Sequence, residues 1–171
     1  MKEKQVKQLE RRMDTVIIDK NKFKRDSWTE KENSNAELIM DFVQNIMNNH
    51  DFEYVKNKYD NSNYVQHNRG IPDKMMGVIE YVKKFAGRFP EFSYDVKSVY
   101  VDGDYVTLHS HATIKKSHRG NDKKGMNIVD TWRINGSDIE EHWDAIQPLD
   151  TFMRFYTLVA GGAVRNSNGV F

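Results

Sequence analysis

The hydrophobic pattern of the chain changes its period once, near residue 90. Before that point apolar residues recur three and four positions apart, which predicts a helix from about Ser34 to Met47, a short helix after Asp51 and a third helix that ends near Phe89. After it apolar and polar residues alternate, which predicts strands at about 91–101, 104–116, 126–134 and 139–147. Helices followed by an antiparallel meander predict an α+β fold.

The same pattern predicts three parts of the chain. A compact domain spans residues 33–150, and its first helix starts with the capping-box pair Ser34 and Glu37. Residues 151–171 form a short helix and a tail rich in glycine and asparagine. Residues 1–32 form a helical arm that covers either the domain or a partner subunit, because one side of it is apolar: Val6, Leu9, Met13, Val16 and Ile17.

Composition limits the classes of function. The 171 residues, 38% of them hydrophobic, suffice for one domain with a buried core. A formal net charge of +1 argues against a general nucleic-acid binder. The absence of cysteine excludes disulfides and thiol nucleophiles and is compatible with the cytoplasm, which is the expected location. The longest early apolar run, residues 16–18, is too short for a signal peptide or a membrane span, so no membrane association is expected.

The segment from Asp130 to Asp144 carries the strongest local signal. The Asn-Gly pair at residues 135–136, between two alternating runs, predicts a hairpin with its tight turn at those residues. A purely structural hairpin would carry Val and Thr, whereas this one carries Asp130, Trp132, His142 and Trp143. Acid, imidazole and indole side chains on paired strands predict one wall of a ligand pocket.

Asp130 is the candidate acid/base residue. It shares a strand face with Ile128 and Trp132, because neighbouring strand residues point to opposite sides. Apolar neighbours desolvate a carboxyl group and raise its pKa toward the range of a proton shuttle. The alternative, an Asp that pairs with an arginine or a backbone donor, is the more common arrangement.

The turn decides which residues of the returning strand share the face of Asp130. A loop with an even number of residues places Glu141 and Trp143 beside it and turns His142 and Asp144 away. A β-bulge reverses the two sets.

His109 and His111 lie two residues apart and therefore share one face of the second long strand. The His-x-His spacing suits a metal ion, with His67, His142 and Asp144 as candidates for the remaining ligands. Two histidines on a sheet surface more often bond neighbouring groups or water, so a metal-free site is the leading interpretation.

Tyr64 and His67 flank an extended segment that leads into the third predicted helix. In one interpretation this segment lines the mouth of the cavity. In the other, Tyr64 packs in the core and His67 caps a turn.

Three short sequence segments between Ser34 and Pro148 together resemble those of one family. They are residues 64–68 (YVQHN) before a helix, residues 103–111 (GDYVTLHSH) at a strand, and residues 129–136 (VDTWRING) with 139–144 (IEEHWD) in the hairpin. Their order and spacing resemble the SnoaL-like polyketide cyclase branch of the nuclear transport factor 2-like (NTF2-like) superfamily.

The resemblance implies a cone-shaped fold, in which a curved antiparallel sheet wraps around N-terminal helices and encloses an apolar pocket. It further implies that Asp130 acts as acid/base in an intramolecular aldol cyclisation with His109 as its partner, without a metal or organic cofactor. A homodimer that pairs through the convex face of the sheet is also implied.

The leading hypothesis is therefore a small-molecule pocket protein with acid/base chemistry, either aldol cyclisation or a related isomerisation. Its ligand is expected to be a small hydrophobic or carbonyl-containing molecule. The alternative is a ligand-binding or oligomerising module without catalysis, and a metal-dependent enzyme ranks third. Besides Asp130 and His109, the residues predicted to contact the ligand are Tyr64, His67, His111, Trp132, His142 and Trp143.

Overall fold

The computed structural model describes residues 14–170. Five α-helices occur in this part of the chain: α1 Lys20–Phe23, α2 Glu30–Val43, α3 Phe52–Tyr59, α4 Lys74–Arg88 and α5 Thr151–Ala160. A π-helix at Gln44–Asn49 directly follows α2, and a short 3-10 helix lies at Lys116–His118. The strands are β1 Val65–Gln66, β2 Ser93–Asp102, β3 Tyr105–Thr113, β4 Met126–Asn135 and β5 Asp138–Pro148.

The five strands form one curved open sheet in the order β1-β5-β4-β3-β2. Strands β2 to β5 are an antiparallel meander, and the short β1 pairs with β5 in parallel. The face that packs against the helices is called the inner face, and the opposite one the outer face. Fully buried side chains fill the space between the inner face and the helices, among them Phe42, Tyr64, Leu108, Ile128 and Trp132. The predicted α+β fold is confirmed.

Within residues 14–170 no helix combines the length and the apolar character that crossing a bilayer requires.

Helix α2 starts earlier than the sequence pattern predicted. Its capping box is formed by Thr29 and Glu32: the Glu32 N–H donates to Thr29 Oγ1 at 3.2 Å, and the Thr29 N–H donates to Glu32 Oε2 at 2.8 Å. The predicted pair, Ser34 and Glu37, lies inside the helix. Both pairs match the capping-box signature. The pair that forms the capping box, Thr29 and Glu32, directly follows Trp28, which packs against the core.

Only part of the predicted N-terminal arm lies in the described range. Val6, Leu9 and Met13 are outside it, and Val16 and Ile17, predicted to be helical, lie in a segment without regular secondary structure. The Gln44 side chain holds this segment, because it donates to the Val16 carbonyl at 3.1 Å and accepts from the Ile18 N–H at 2.8 Å. The boundary at residue 33 stays a prediction.

The turn of the β4–β5 hairpin lies one residue later than predicted. Asn135 pairs with Asp138, so the two loop residues are Gly136 and Ser137. Gly136 has φ of 63°, the left-handed region that a tight hairpin turn requires at its first central position.

A β-bulge beside this turn decides which residues of β5 face the helices. Ile134 pairs with Ile139, but Arg133 pairs with Glu141, so Glu140 is an extra residue on β5. Because strand side chains alternate, one extra residue moves every later side chain to the other face.

As a result Asp130 pairs with Asp144, and Trp132 pairs with His142. The arrangement expected from an even-numbered loop, with Glu141 and Trp143 beside Asp130, is wrong. The bulged alternative is the one that the chain adopts.

Candidate active site

A cavity of about 120 Å³ lies between the inner face of the sheet and the helices. Ile146, which is 41% exposed, is part of its lining, so the cavity reaches the surface beside β5. Apolar side chains form most of the wall, including Phe42, Val78, Val82, Phe85, Ile128 and Trp132. Polar side chains meet on one part of it: Tyr64, Gln66, Asn68, Asp130, His142 and Asp144. An apolar cavity with a few convergent polar groups is the usual form of a small-molecule site.

Asp130 is a buried carboxyl group on this wall. Its side chain is held by β4 between the apolar Ile128 and Trp132, and the residue is 2% exposed. Burial raises its pKa above the ordinary value; the hydrogen bond and charge of His142 oppose this, and the nearby Asp144 carboxylate adds to it. Its Oδ1 bonds to His142, whereas its Oδ2 is buried without a hydrogen-bond partner.

His142 links Asp130 to β1. Its Nε2 lies 3.1 Å from Asp130 Oδ1, and its Nδ1 lies 3.1 Å from Gln66 Oε1. The same Gln66 oxygen accepts from the backbone N–H of Asn68 at 2.9 Å, which can only donate, so this amide atom is an oxygen and the His142 Nδ1 carries a proton. Asp130 Oδ1 and His142 Nε2 therefore share a single proton across the pair.

Tyr64 adds a neutral hydroxyl group to the wall. The amide of Gln66 donates to its phenolic oxygen at 3.2 Å, which leaves the proton of the phenol available for another acceptor. Burial raises the pKa of Tyr64 well above its ordinary value, and the charges of Asp144 and Asp130 contribute in the same direction. Tyr64 is therefore a hydrogen-bond donor at neutral pH.

Asp144 is held by an amide. The Nδ2 of Asn68 lies 2.7 Å from one oxygen of the Asp144 carboxylate and 2.8 Å from the other. The backbone N–H of Gly70 donates to the Oδ1 of Asn68 at 2.9 Å, which fixes the orientation of that amide.

The C-terminal tail holds the segment that carries Gln66 and Asn68. The amide of Asn168 donates to the Gln66 carbonyl at 2.9 Å and to Asp73 Oδ1 at 2.8 Å. The amide of Asn166 donates to the Asn68 carbonyl at 2.9 Å and to another carbonyl of the same loop, that of Ile71. A tail that composition describes only as rich in glycine and asparagine thus orients the residues behind His142 and Asp144.

Four residues that the sequence predicted for the site do line the cavity: Asp130, Tyr64, Trp132 and His142. His109 does not, because it pairs with Val129 and lies on the outer face, where its Nε2 is 2.6 Å from Asn127 Oδ1. His111 lies on the same outer face and its Nε2 bonds to the Lys124 carbonyl at 2.7 Å.

His67 and Trp143 also lie outside the cavity lining. Their rings stack on each other with centroids 4.5 Å apart, and His67 Nδ1 bonds to the carbonyl of Gly169. His67 and Tyr64 are three residues apart in an extended segment, so their side chains point to opposite sides.

Sequence reasoning missed Gln66, Asn68 and the role of Asp144. A signal for the first two was present, since Tyr64, Gln66 and Asn68 are every second residue of the segment that contains β1, and all three line the cavity. The position of Asp144 depends on the bulge, for which the sequence gives no comparable signal.

One group of three potential metal ligands occurs within the described residues. Asp130, His142 and Asp144 each offer an atom that lies within 4.8 Å of the other two. A metal ion bound there would replace the proton that Asp130 and His142 share. The ligand set considered from the sequence is divided between the two faces of the sheet, because His109 and His111 lie on the outer one.

A family model for SnoaL-like polyketide cyclases matches residues 37–153, which include the polar group of the cavity wall formed by Tyr64, Gln66, Asn68, Asp130, His142 and Asp144. The chain belongs to this family. The match begins after the predicted arm and ends inside α5. No curated protein matches the chain.

Solved structures of this family's fold are similar over most of the chain. A Bacillus cereus protein provisionally assigned as a polyketide cyclase is 18% identical, with a TM-score of 0.60 over 80% of this chain and 88% of its own. AclR of Streptomyces galilaeus, provisionally a hydroxylase, is 17% identical, with a TM-score of 0.56 over 77% and 98%. An NTF2-like protein of unknown function from Cytophaga hutchinsonii is 13% identical, with a TM-score of 0.50 over 67% and 90%. These likenesses establish the NTF2-like fold. A fold by itself does not fix the reaction.

Proposed function

We propose that this protein binds a small carbonyl compound in the cavity and moves a proton at the carbon next to the carbonyl group. The observation that carries the proposal is the Asp130–His142 pair, which is buried, shares one proton and leaves Asp130 Oδ2 without a partner on the wall of an apolar cavity. Membership of the SnoaL-like family supports an intramolecular aldol cyclisation as the overall reaction.

The first step is removal of a proton by Asp130. With the shared proton on His142 Nε2, Asp130 is a carboxylate, and its Oδ2 accepts the proton from the carbon next to the carbonyl group. The C–H bond breaks, an O–H bond forms on Asp130, and the electron pair passes into an enolate. Desolvation brings the pKa of Asp130 closer to that of a useful base at neutral pH, because a weakly basic carboxylate removes such protons slowly.

The second step uses the enolate and returns the proton. Tyr64 donates a hydrogen bond to the enolate oxygen and so stabilises the charge that develops there. The enolate carbon then adds to a second carbonyl group of the same molecule, forming a C–C bond and an alkoxide. Asp130 gives its proton to that alkoxide, so the sequence of steps consumes no oxidant, reductant or cofactor.

We assign the histidine role to His142 rather than to His109. His142 contacts Asp130 directly and is held from behind by Gln66. His109 lies on the other face of the sheet, bonded to Asn127.

Hydrogen exchange tests the proposal without knowledge of the natural substrate. A panel of cyclic ketones and β-keto esters is incubated with the protein in heavy water, and deuterium uptake is followed by NMR. We expect the wild type to exceed the buffer rate and Asp130→Asn to lose roughly 100-fold or more of this activity. Asp138→Asn, which changes an exposed acid on the same hairpin, is the matched control and retains it.

Exchange that persists in a folded Asp130→Asn variant contradicts the role of Asp130. Wild-type exchange no faster than buffer across the panel favours the alternative, a pocket that binds its ligand unchanged. Circular dichroism of each variant separates loss of chemistry from loss of fold.

We also propose that the protein forms a homodimer through the outer face of the sheet. Exposed apolar side chains lie there, including Tyr100, Tyr105 and Val129. Light scattering of the wild type and of Val129→Lys tests this, with a dimer that weakens in the variant as the expected result. The cytoplasmic location stays a prediction.

A further inference from the structure

The charge of the cavity wall restricts what it accepts. Among the described residues that line the cavity, none is a lysine or an arginine, whereas two are aspartates. The Asp130–His142 pair is neutral as a unit wherever its shared proton lies, because the pair is either acid with imidazole or carboxylate with imidazolium. The net charge of the wall is therefore that of Asp144.

Asp144 has no cationic partner in the described part of the chain. Its two oxygens accept hydrogen bonds from the neutral amide of Asn68, and no ion pair involves it. A carboxylate accepts about four hydrogen bonds, so acceptor capacity remains for a donor that enters the cavity. An anionic ligand would place a second negative charge next to it in a cavity whose wall is mostly apolar.

Two arginines stack on aromatic rings of the cavity lining without belonging to the lining themselves. The guanidinium of Arg165 lies over the ring of Tyr81 at 5.8 Å from the centroid, and that of Arg88 lies over the ring of Tyr156 at 5.7 Å. Both rings belong to the lining and both arginines lie outside it. Neither arginine is part of the surface that a ligand in the cavity contacts.

Size and hydrogen-bonding groups narrow the ligand further. An apolar cavity of roughly 150 Å³ accepts one benzene ring, so about 120 Å³ corresponds to a single ring or a branch of similar volume. Atoms of Asp130 and Asp144 lie within 4.8 Å of each other, which suits ligand atoms on the same or neighbouring carbons.

We propose that the cavity selects a small cyclic or ring-forming compound, neutral or cationic, that presents a hydroxyl or amino group to Asp144 next to its carbonyl group, and that it rejects carboxylates. The position of the carbonyl group rests on the proposed function. The preference for ligands that carry a hydrogen-bond donor and no negative charge rests only on Asp144 and on the composition of the wall.

Binding of matched probes tests this inference. Benzylamine, benzyl alcohol and benzoate share one ring and differ in charge and in hydrogen-bonding group, and their dissociation constants are measured by NMR titration at pH near 7. We expect the wild type to bind benzylamine roughly tenfold or more tightly than benzoate, with benzyl alcohol between them. The signals that shift are expected to be those of the cavity residues.

Asp144→Asn is expected to remove most of that preference, because it keeps the size of the side chain and an acceptor for Asn68 but loses the charge. The surface control Asp138→Asn is expected to keep the preference for the amine. If Asp144→Asn fails to fold, the wild-type comparison of the three probes still decides the point.

Three results overturn the inference: benzoate that binds as tightly as benzylamine, an amine preference that is unchanged in a folded Asp144→Asn variant, or no binding of any probe. Its failure is distinguishable from failure of the proposed function. Selection of benzylamine without exchange of ketone protons would support the charge selectivity and contradict the proposed chemistry. Exchange of ketone protons without selection of benzylamine would support the chemistry and contradict the selectivity.

Discussion

The inner and outer faces of the central strands carry the same three kinds of side chain. On the inner face these are Asp130, His142 and Trp132, and the counterparts on the outer face are Glu141, His109 and Trp143. The inner Asp is buried with one oxygen unpaired, whereas Glu141 is partly exposed and bonds to Arg133 at 2.7 Å. Residue type therefore does not distinguish a candidate site here; enclosure and unsatisfied hydrogen bonding do.

The two tryptophans give the largest expected contrast. Trp132 is 2% exposed and contacts both Phe42 and His142, so Trp132→Ala is expected to lower the free energy of unfolding by about 3–5 kcal/mol. Trp143 is partly exposed and stacks on His67, so its replacement by Ala is expected to cost only about 1 kcal/mol. Urea unfolding of both variants measures the difference, and equal losses would mean that the two faces are equally important for packing.

The two histidines test the chemistry of the faces. His142→Ala removes the partner with which Asp130 shares its proton, and we expect a loss of roughly 100-fold in exchange rate. His109→Ala is expected to leave the rate within about twofold, because the residue is on the other face. The exchange rates are measured in heavy water, as for Asp130→Asn. If only the His109 variant lost activity, His109 would be the catalytic histidine, as the family resemblance implied.

The smallest expected effect is a change in how stability depends on pH. Burial raises the pKa of Asp130 in the folded state, so folding favours its protonated form. The contribution of Asp130 to the stability of the wild type is fully present below the pKa of this residue in the unfolded chain. It is lost as pH rises through the pKa of Asp130 in the folded protein. Asp130→Asn cannot ionise, and its stability relative to the wild type should therefore increase as pH rises above the unfolded pKa of an aspartate, about 4.

Asp150, at the start of α5, should show the opposite trend. Although burial opposes the shift, backbone N–H donors of Gly125 and Met153 lower its pKa. Its contribution is present at neutral pH and is lost as pH falls, so Asp150→Asn should be less stable than the wild type near pH 7 and match it at low pH. Urea unfolding at a series of pH values checks both slopes, and parallel slopes for the two variants would contradict the assigned environments.

The sequence predicted the fold well because its periodicity changes only once. The alternating runs after residue 90 gave all four long strands to within a few residues, and Asp51 and Asp73 marked helix starts at α3 and α4. Asp130 was also predictable, since its neighbours Ile128 and Trp132 fix its side of the strand.

The partners of Asp130 were not predictable in the same way. Choosing between His142 and His109 requires the register across two hairpins, and that register depends on one unpaired residue, Glu140. Gln66 was predictable from a local rule, because alternation from Tyr64 places Gln66, and not His67, on the side of Tyr64. The choice of the histidine that contacts Asp130 therefore depends on long-range strand pairing, whereas the side on which Gln66 lies follows from local alternation.

The bulge at Glu140 makes the pairing of this hairpin as important as the identity of its residues. If Glu140 paired with Arg133 in a regular ladder, Glu141 and Trp143 would lie on the inner face, and His142 and Asp144 on the outer one. Two relatives with identical residues in this segment but a different strand register would then have unrelated pockets. A register shift of one residue therefore replaces one set of pocket side chains by another, and a comparison of side chains alone does not detect it.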